Sequence, residues 1–416
     1  MISLIEALNY RCLRHVRQPL GPFHVLVGPN ASGKSTFLDV IAFLGRLVSD
    51  GLEAAVEERT SNFYDLLWGR QGERLALAVE AVIPAELRQP ESLFDRVRYE
   101  VCVGIDLDEK RIAILVERVL LLADSVNNRR LEDLPDKWRG RRIAVAFDEL
   151  PGTQLVVEKK YTLGDFYIPE SRTGSSAQGN IAWDVGTRKT ALGSLPEDQS
   201  KFPIAVWLKK LLVEGIQPLA IDSRVIQKVS PPLKGLGLGA DGSNLPWVID
   251  YLRLADPKRF QRWIDHIQMV LPDIETIRIV ERSEDKHRYL MIRYQGGLEV
   301  PSWTVSEGTL RLLALTIPAY LVDFTGAYLI EEPENGIHPR AVEAVYQSLS
   351  SVYKGQVLVA THSPLLVGLV DPDKILCFNK NDEGATEIVL GSEHPALRDW
   401  SHEVDLGTLF AGGFLE

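Results

Sequence analysis

An α/β fold, a mixed sheet flanked by helices, is what this 416-residue sequence predicts, and three observations predict it. The apolar runs Phe23–Val27, Tyr328–Ile330 and Val357–Ala360 have the length and composition of buried strands. Helical spacing follows the first of them, with Phe37, Leu38, Ile41 and Leu44 recurring on one face. Each run also ends in residues suited to phosphate or metal, as ligands gather at the carboxyl ends of strands in such sheets.

The first junction is the most specific. Gly28-Pro29-Asn30-Ala31-Ser32-Gly33-Lys34-Ser35 fits the pattern Gly-x4-Gly-Lys-Ser, with Thr36 following. Glycine is needed there because the backbone must wrap closely around phosphate oxygens. Lys34 is placed to neutralise the β and γ phosphates, and the Ser35 hydroxyl to hold Mg²⁺. A nucleoside triphosphate is the expected ligand.

Composition sets the remaining bounds. With 45% hydrophobic residues the chain can bury a large core and divide into two or three domains. No apolar run is long enough to span a bilayer, and Met1–Glu6 lacks the basic start of a signal peptide. Cys12, Cys102 and Cys377 lie far apart and are too few for a disulfide framework, which suits a reducing cytoplasm. They also exclude a multi-cysteine zinc site. A net charge of −11 argues against coating nucleic acid over the whole surface, though not against a local groove. Basic residues cluster at Arg11, Arg14, His15 and Arg17, and again at Arg129, Arg130, Lys137, Arg139, Arg141 and Arg142. Glu132, Asp133 and Asp136 dilute the second group, which reads as solvated surface.

Three more signals stand in order in the C-terminal third. Ser306-Glu307-Gly308-Thr309 opens an apolar helix through Leu310, Leu312, Leu313, Leu315 and Ile317. The second run ends in Glu331-Glu332-Pro333-Glu334, and the third in Thr361-His362-Ser363. An acid beside the phosphate loop can hold the Mg²⁺ hydration shell, and its neighbour can orient and deprotonate an attacking water. A histidine there can hydrogen-bond a γ-phosphate.

Together these residues resemble the ABC-type ATPases, specifically the soluble heads of the RecF/SMC-like group and their OLD-like (overcoming-lysogenization-defect-like) relatives. Asn9-Tyr10-Arg11 is similar to the opening of those heads, Gly28–Ser35 to their Walker A loop, and Ser306–Thr309 to their signature. Glu331-Glu332 is similar to Walker B, residues 334–339 to the D-loop, and His362 to the switch histidine. The resemblance covers roughly residues 1–85 and 290–416. It implies a P-loop NTPase of ABC-ATPase type, using ATP and Mg²⁺, with a compact α+β insertion at 86–289 between Walker A and signature. The implied catalytic residues are Glu332, His362 and Lys34. The implied nucleotide contacts are Gly28 to Thr36, with Arg11, and Ser306, Gly308 and Thr309 acting across a head-to-tail dimer. The implied metal residues are Ser35, Glu331 and Gln71. Gln71, in Trp68-Gly69-Arg70-Gln71-Gly72, is the Q-loop candidate, with an ordinary hairpin turn as the rival reading. Glu331 stands where most ABC proteins have Asp, but Glu-Glu-Pro-Glu is familiar in the OLD-like branch. The signature lacks the second glycine and the glutamine of transporter subunits, which argues for a soluble head.

The insertion carries fewer signals. Val97–Ile105 and Ile112–Leu121 read as a β-hairpin, so Asp106 and Asp108 belong to its turn rather than to a Toprim metal pair. With the chain ending at Glu416, no Toprim domain is expected to follow. Residues 171–194 suggest mobile loops, 203–214 a helix, and the glycine run 235–239 a flexible connection. Ser243-Asn244 is expected to cap a helix carrying Val248, Ile249, Tyr251 and Leu252, with a second helix at 260–271. The absence of heptads excludes long coiled-coil arms. The expectation is an ATP-hydrolysing switch acting on nucleic acid or a partner effector, in anti-phage defence or genome maintenance. The alternative is a nucleotide-gated scaffold for a separate toxin or nuclease.

Overall fold

The computed structural model describes residues 1–88, 93–106, 110–123, 152–161, 164–170, 181–233, 235, 237–321, 323–397 and 404–415, with 181–183 as backbone only. In chain order the first strands are β1 (Ile2–Tyr10), β2 (Leu13–Pro19), β3 (Phe23–Val27), β4 (Arg74–Val82), β5 (Phe94–Asp106), β6 (Arg111–Ala123), β7 (Thr153–Lys160), β8 (Gly164–Tyr167) and β9 (Ile181–Trp183). They continue with β10 (Ile216–Leu219), β11 (Ile274–Glu281), β12 (Arg288–Tyr294), β13 (Glu299–Pro301), β14 (Ala327–Glu331), β15 (Gln356–Ala360), β16 (Ile375–Lys380) and β17 (Thr386–Leu390). The helices are α1 (Lys34–Asp50), α2 (Leu52–Glu57), α3 (Pro203–Glu214), α4 (Ser223–Ile226), α5 (Leu245–Ala255), α6 (Pro257–Val270), α7 (Glu307–Thr316), α8 (Pro339–Ser350), α9 (Pro364–Val367) and α10 (Leu406–Ala411). They distribute over two compact units.

The first unit comprises Met1–Gly21, Asn30–Ile216 and Phe378–Ile388. Its eight-stranded sheet runs β2-β1-β4-β5-β6-β7-β8-β9, every neighbour antiparallel. The expected hairpin is present as β5 and β6. Strands β4 and β5, on either side of the 85/86 position, are hydrogen-bonded neighbours in this sheet. Alternation gives the sheet two faces. Ile5, Ala7, Leu77, Val79, Val97 and Val101 form one and are fully buried, as are Phe37, Ile41, Phe43 and Leu44 of α1.

The other alternate positions carry charge, a pattern that ordinarily marks a solvated face, yet Glu6, Glu80, Arg96, Arg98, Glu100 and Arg118 are buried. They survive there because they are paired. Arg98 donates to Glu6 at 2.8 Å, Glu80 at 3.1 Å and Glu100 at 2.9 Å. Such a network is held more by the cost of leaving any one member unpaired than by a net gain over apolar packing.

The mobile-loop expectation fails over the segment 190–194. Ala191 and Leu192 are buried, and their N–H groups donate to the Glu117 carboxylate at 2.6 and 2.9 Å. Residues 171–180 lie outside the described set, as do Asp108 and the basic cluster 129–142. Burial pushes the Glu117 carboxyl up to about 7, against the opposing pull of those two amides. Burial also lifts Glu170 to about 7, although it accepts the Ile204 and Ala205 N–H groups at the start of α3. Both folded values lie above the unfolded ones, so the stabilisation is complete below about pH 4.5 and is lost as pH rises towards 7. Urea unfolding at pH 5, 6 and 7 should show stability falling across this window, with a shallower fall in Glu117→Gln. An equal slope in the variant would remove Glu117 as a cause.

The second unit comprises Pro22–Pro29, Gln217–Cys377 and Val389–Glu416. Strands β14, β15, β3 and the start of β16 lie side by side and parallel. Their continuous apolar runs reflect burial on both faces. Strands β11, β12 and β13 form a separate antiparallel sheet. Trp263 of α6 is fully buried in the core, and its indole N–H donates to Thr316 Oγ1 at 3.0 Å.

Two expectations fail together in this unit. Asn244 stands at the N-cap of α5 but makes no side-chain cap. It clamps the glycine run instead, accepting from Gly239 N at 2.7 Å and donating to the Gly235 and Gly237 carbonyls at 2.9 and 2.7 Å. With Leu238 buried beside it, the described part of this run is pinned rather than a flexible connection.

Candidate nucleotide site

Parallel register determines which residues meet. Glu331 pairs with Ala360 and Ala360 with Leu26, so β14, β15 and β3 reach the same sheet edge together. From that edge emerge Glu332, then Thr361-His362, then Gly28-Pro29. The Thr361 N–H donates to Leu26 O at 3.1 Å and the Glu332 N–H to Ala360 O at 2.7 Å, extending the ladder by one residue. Glu332 adopts φ +47, a left-handed conformation unusual for a glutamate and of the kind concentrated at functional sites. Asn335 secures it, donating its N–H to Glu332 O at 3.1 Å and its side-chain amide to Glu332 Oε2. Glu331 and Glu332 are exposed and His362 is half-buried.

The phosphate loop continues the chain from β3. Gly28 at φ +140, Ala31 at +62 and Gly33 at +111 give it the left-handed turns that the glycine pattern anticipates. Gly33 is the N-cap of α1 and supplies no side-chain cap to the first amides of the helix. Lys34 is buried, Asn30, Ala31 and Ser35 are exposed, and Pro29 and Thr36 are half-buried. Ser32 is also buried, and its hydroxyl has no hydrogen-bond partner. An orphaned buried hydroxyl between the left-handed Ala31 and Gly33, followed by a buried lysine at a helix start, fits a phosphate ligand. The residues of this loop therefore suit a nucleotide phosphate, and Ser35 is of the type that holds Mg²⁺.

The expected signature lies in the second unit. Ser306 caps α7, its hydroxyl accepting from Thr309 N at 3.2 Å and lying 2.8 Å from Thr309 Oγ1. Gly308 has no room for a side chain, since a Cβ would stand 2.8 Å from the Gly336 carbonyl. Signature and D-loop backbones thus touch. Thr361 Oγ1 donates to Glu334 Oε1 at 2.5 Å, linking the D-loop to the residue before His362, while Glu334 Oε2 is buried with no partner. Thr361 and Glu334 both stand inside motifs legible in the sequence, but neither is a site residue expected from them.

The two remaining site residues lie in the first unit. Arg11, at φ +50, sits 3.5 Å from Asp39 on α1. Asp39 also accepts the Tyr10 hydroxyl at 2.5 Å and pairs with Arg59 at 2.6 Å. Gln71 is exposed and follows a short 3₁₀ turn, Trp68–Arg70, its carbonyl accepting weakly from Asn9 at 3.4 Å.

Residues 23–99 and 225–368, just over half of the chain, match the family described as "AAA domain, putative AbiEii toxin, Type IV TA system". The chain belongs to that family. A segment of 41 residues is 44% identical to an OLD nuclease of Thermus scotoductus, spanning 10% of this chain and only 8% of that protein. A solved SMC head bound to the C-terminal winged-helix domain of ScpA shares the fold, with a TM-score of 0.51 at 16% identity over 93% of this chain and 97% of that one. An SMC head with an extended coiled coil, bound to the C-terminal domain of ScpA derived from Pyrococcus furiosus, gives 0.49 at 15% identity over 93% and 95%. The family is thus that of an AAA domain and the fold that of the SMC heads, in line with the motifs. Among the described residues no helix is long and apolar enough to cross a membrane.

Proposed function

We propose that this chain is an ATP-binding and ATP-hydrolysing switch whose copies close head to tail around Mg-ATP. The observation that carries the reading is the register of β14, β15 and β3, which brings Glu332, His362 and the start of the phosphate loop to one sheet edge. Lys34 and the loop amides bind the phosphates, and Ser35 and Glu331 hold Mg²⁺, which when bound neutralises charge on the β and γ phosphates. Glu332 accepts a proton from the attacking water as its oxygen bonds to the γ-phosphorus and the bond to the β–γ bridging oxygen breaks. His362 donates to the γ-phosphate. Ser306, Gly308 and Thr309 serve the nucleotide of a second copy, because a capped helix start offers N–H donors and partial positive charge. Arg11 and Gln71 stay in this reading as residues that meet the nucleotide or its metal.

The switch acts in the cytoplasm on nucleic acid or a separate effector protein, in anti-phage defence or genome maintenance. Support comes from the toxin, nuclease and SMC-head relatives named above. The net charge of −11 favours a second reading, a scaffold that holds a toxin or nuclease and turns over slowly. Phosphate release from Mg-ATP by the wild-type chain tests hydrolysis, and its rate with duplex DNA separates the readings. Stimulation by DNA supports the nucleic-acid switch. A slow rate indifferent to DNA supports the scaffold, and no release at all contradicts hydrolysis.

A further inference from the structure

Thr386 opens β17, 354 positions from Ser32 in sequence, yet its side chain is buried against the phosphate loop. Its hydroxyl donates a 2.7 Å hydrogen bond to the Ser32 carbonyl. Its own N–H donates to the Cys12 carbonyl at 3.0 Å, which anchors it to the turn between β1 and β2. A Cβ on Gly33 would stand 2.4 Å from Thr386 Oγ1, 3.1 Å from its Cγ2 and 3.0 Å from Cys12 Sγ. Thr386 therefore fills the space that the glycine leaves. All of these residues belong to the first unit.

The bond fixes an orientation as well as a contact. A trans peptide is planar, with its C=O and N–H on opposite sides. Holding the Ser32 carbonyl toward Thr386 turns the Gly33 N–H away from it. Left-handed residues on either side of Ser32, Ala31 at φ +62 and Gly33 at +111, give the alternation in which successive amides converge on an anion. A peptide flip here would replace a donor with a carbonyl oxygen, so the anion would lose an attraction and meet a repulsion.

We propose that Thr386 is a positioning residue for the nucleotide phosphates, holding the Ser32–Gly33 peptide with its N–H toward them. The proposal rests on the nucleotide reading above. Its test uses the full chain, with Mg-ADP binding by calorimetry and melting without nucleotide measured for wild type, Thr386→Val, Thr386→Ser and Thr386→Ala. Valine keeps the shape and removes the donor, so affinity should fall by about tenfold while the melting temperature barely moves. Serine keeps the donor and should bind within about twofold of wild type. If the valine variant fails to fold, the serine and alanine variants carry the comparison, and serine should bind about tenfold tighter. Equal affinities in either comparison overturn the role of the hydroxyl while leaving nucleotide binding intact. A wild-type chain that does not bind Mg-ADP removes the nucleotide reading and this proposal with it.

Discussion

Lys34→Ala should weaken Mg-ATP binding by at least about a hundredfold, the scale of a lost charge-assisted contact to phosphate. Lys34 is the first residue of α1 and is buried, so its ammonium acts where water screens it poorly. Its removal takes away the positive charge that balances the β and γ phosphates and leaves the loop amides to face them alone. The fold should persist, because α1 is held by Phe37, Ile41, Phe43 and Leu44, all fully buried. Calorimetric titration with Mg-ATP, paired with a melting curve, reads both quantities. Unchanged affinity in a folded variant would sink the assignment of residues 28–36 as the nucleotide loop.

Glu332→Gln should separate binding from turnover. The amide keeps the shape of the side chain and can still take part in a hydrogen bond with Asn335, but it cannot accept a proton from water. Phosphate release should fall by about 10²–10⁴-fold, the usual contribution of a general base, with Mg-ATP affinity changed little. The left-handed backbone at Glu332 is retained by its N–H bond to Ala360, which the substitution does not touch. Single-turnover phosphate release is the measurement. A variant that hydrolyses ATP at the wild-type rate would move the catalytic role elsewhere, with Glu334 the nearest candidate, since its Oε2 is buried without a partner.

The parts of this site that could be read from the sequence are the local ones. A phosphate loop is a contiguous string between a strand and a helix, and its glycines declare the backbone they need, as Gly28 and Gly33 show. Ser306 reads as a cap because capping acts over three residues, and it does accept from Thr309. The parallel strands announce themselves as short apolar runs, and their shared edge follows from the fold class. What could not be read depends on distant pairing. Thr386 is one threonine in an ordinary strand until β17 brings it against Ser32. Asn244 looked like a cap because its neighbourhood is that of a helix start, but three polar groups of the preceding glycine run compete for the same amide. Arg96, Arg98 and Glu100 alternate as a solvated strand would, but Glu6 of β1 and Glu80 of β4 pair with the buried arginines, and Arg98 pairs in turn with Glu100.

In the function proposed above, ATP joins two copies of this chain through Ser306–Thr309 of one and the phosphate loop of the other. The mass in solution of Glu332→Gln, with and without Mg-ATP and with and without duplex DNA, tests it most directly. The expected result is a dimer that appears with Mg-ATP, disperses when the nucleotide is removed, and tightens with DNA if nucleic acid is what the switch grips. A monomer at saturating Mg-ATP would contradict the sandwich, and a fixed oligomer indifferent to nucleotide and DNA would replace the switch with the scaffold.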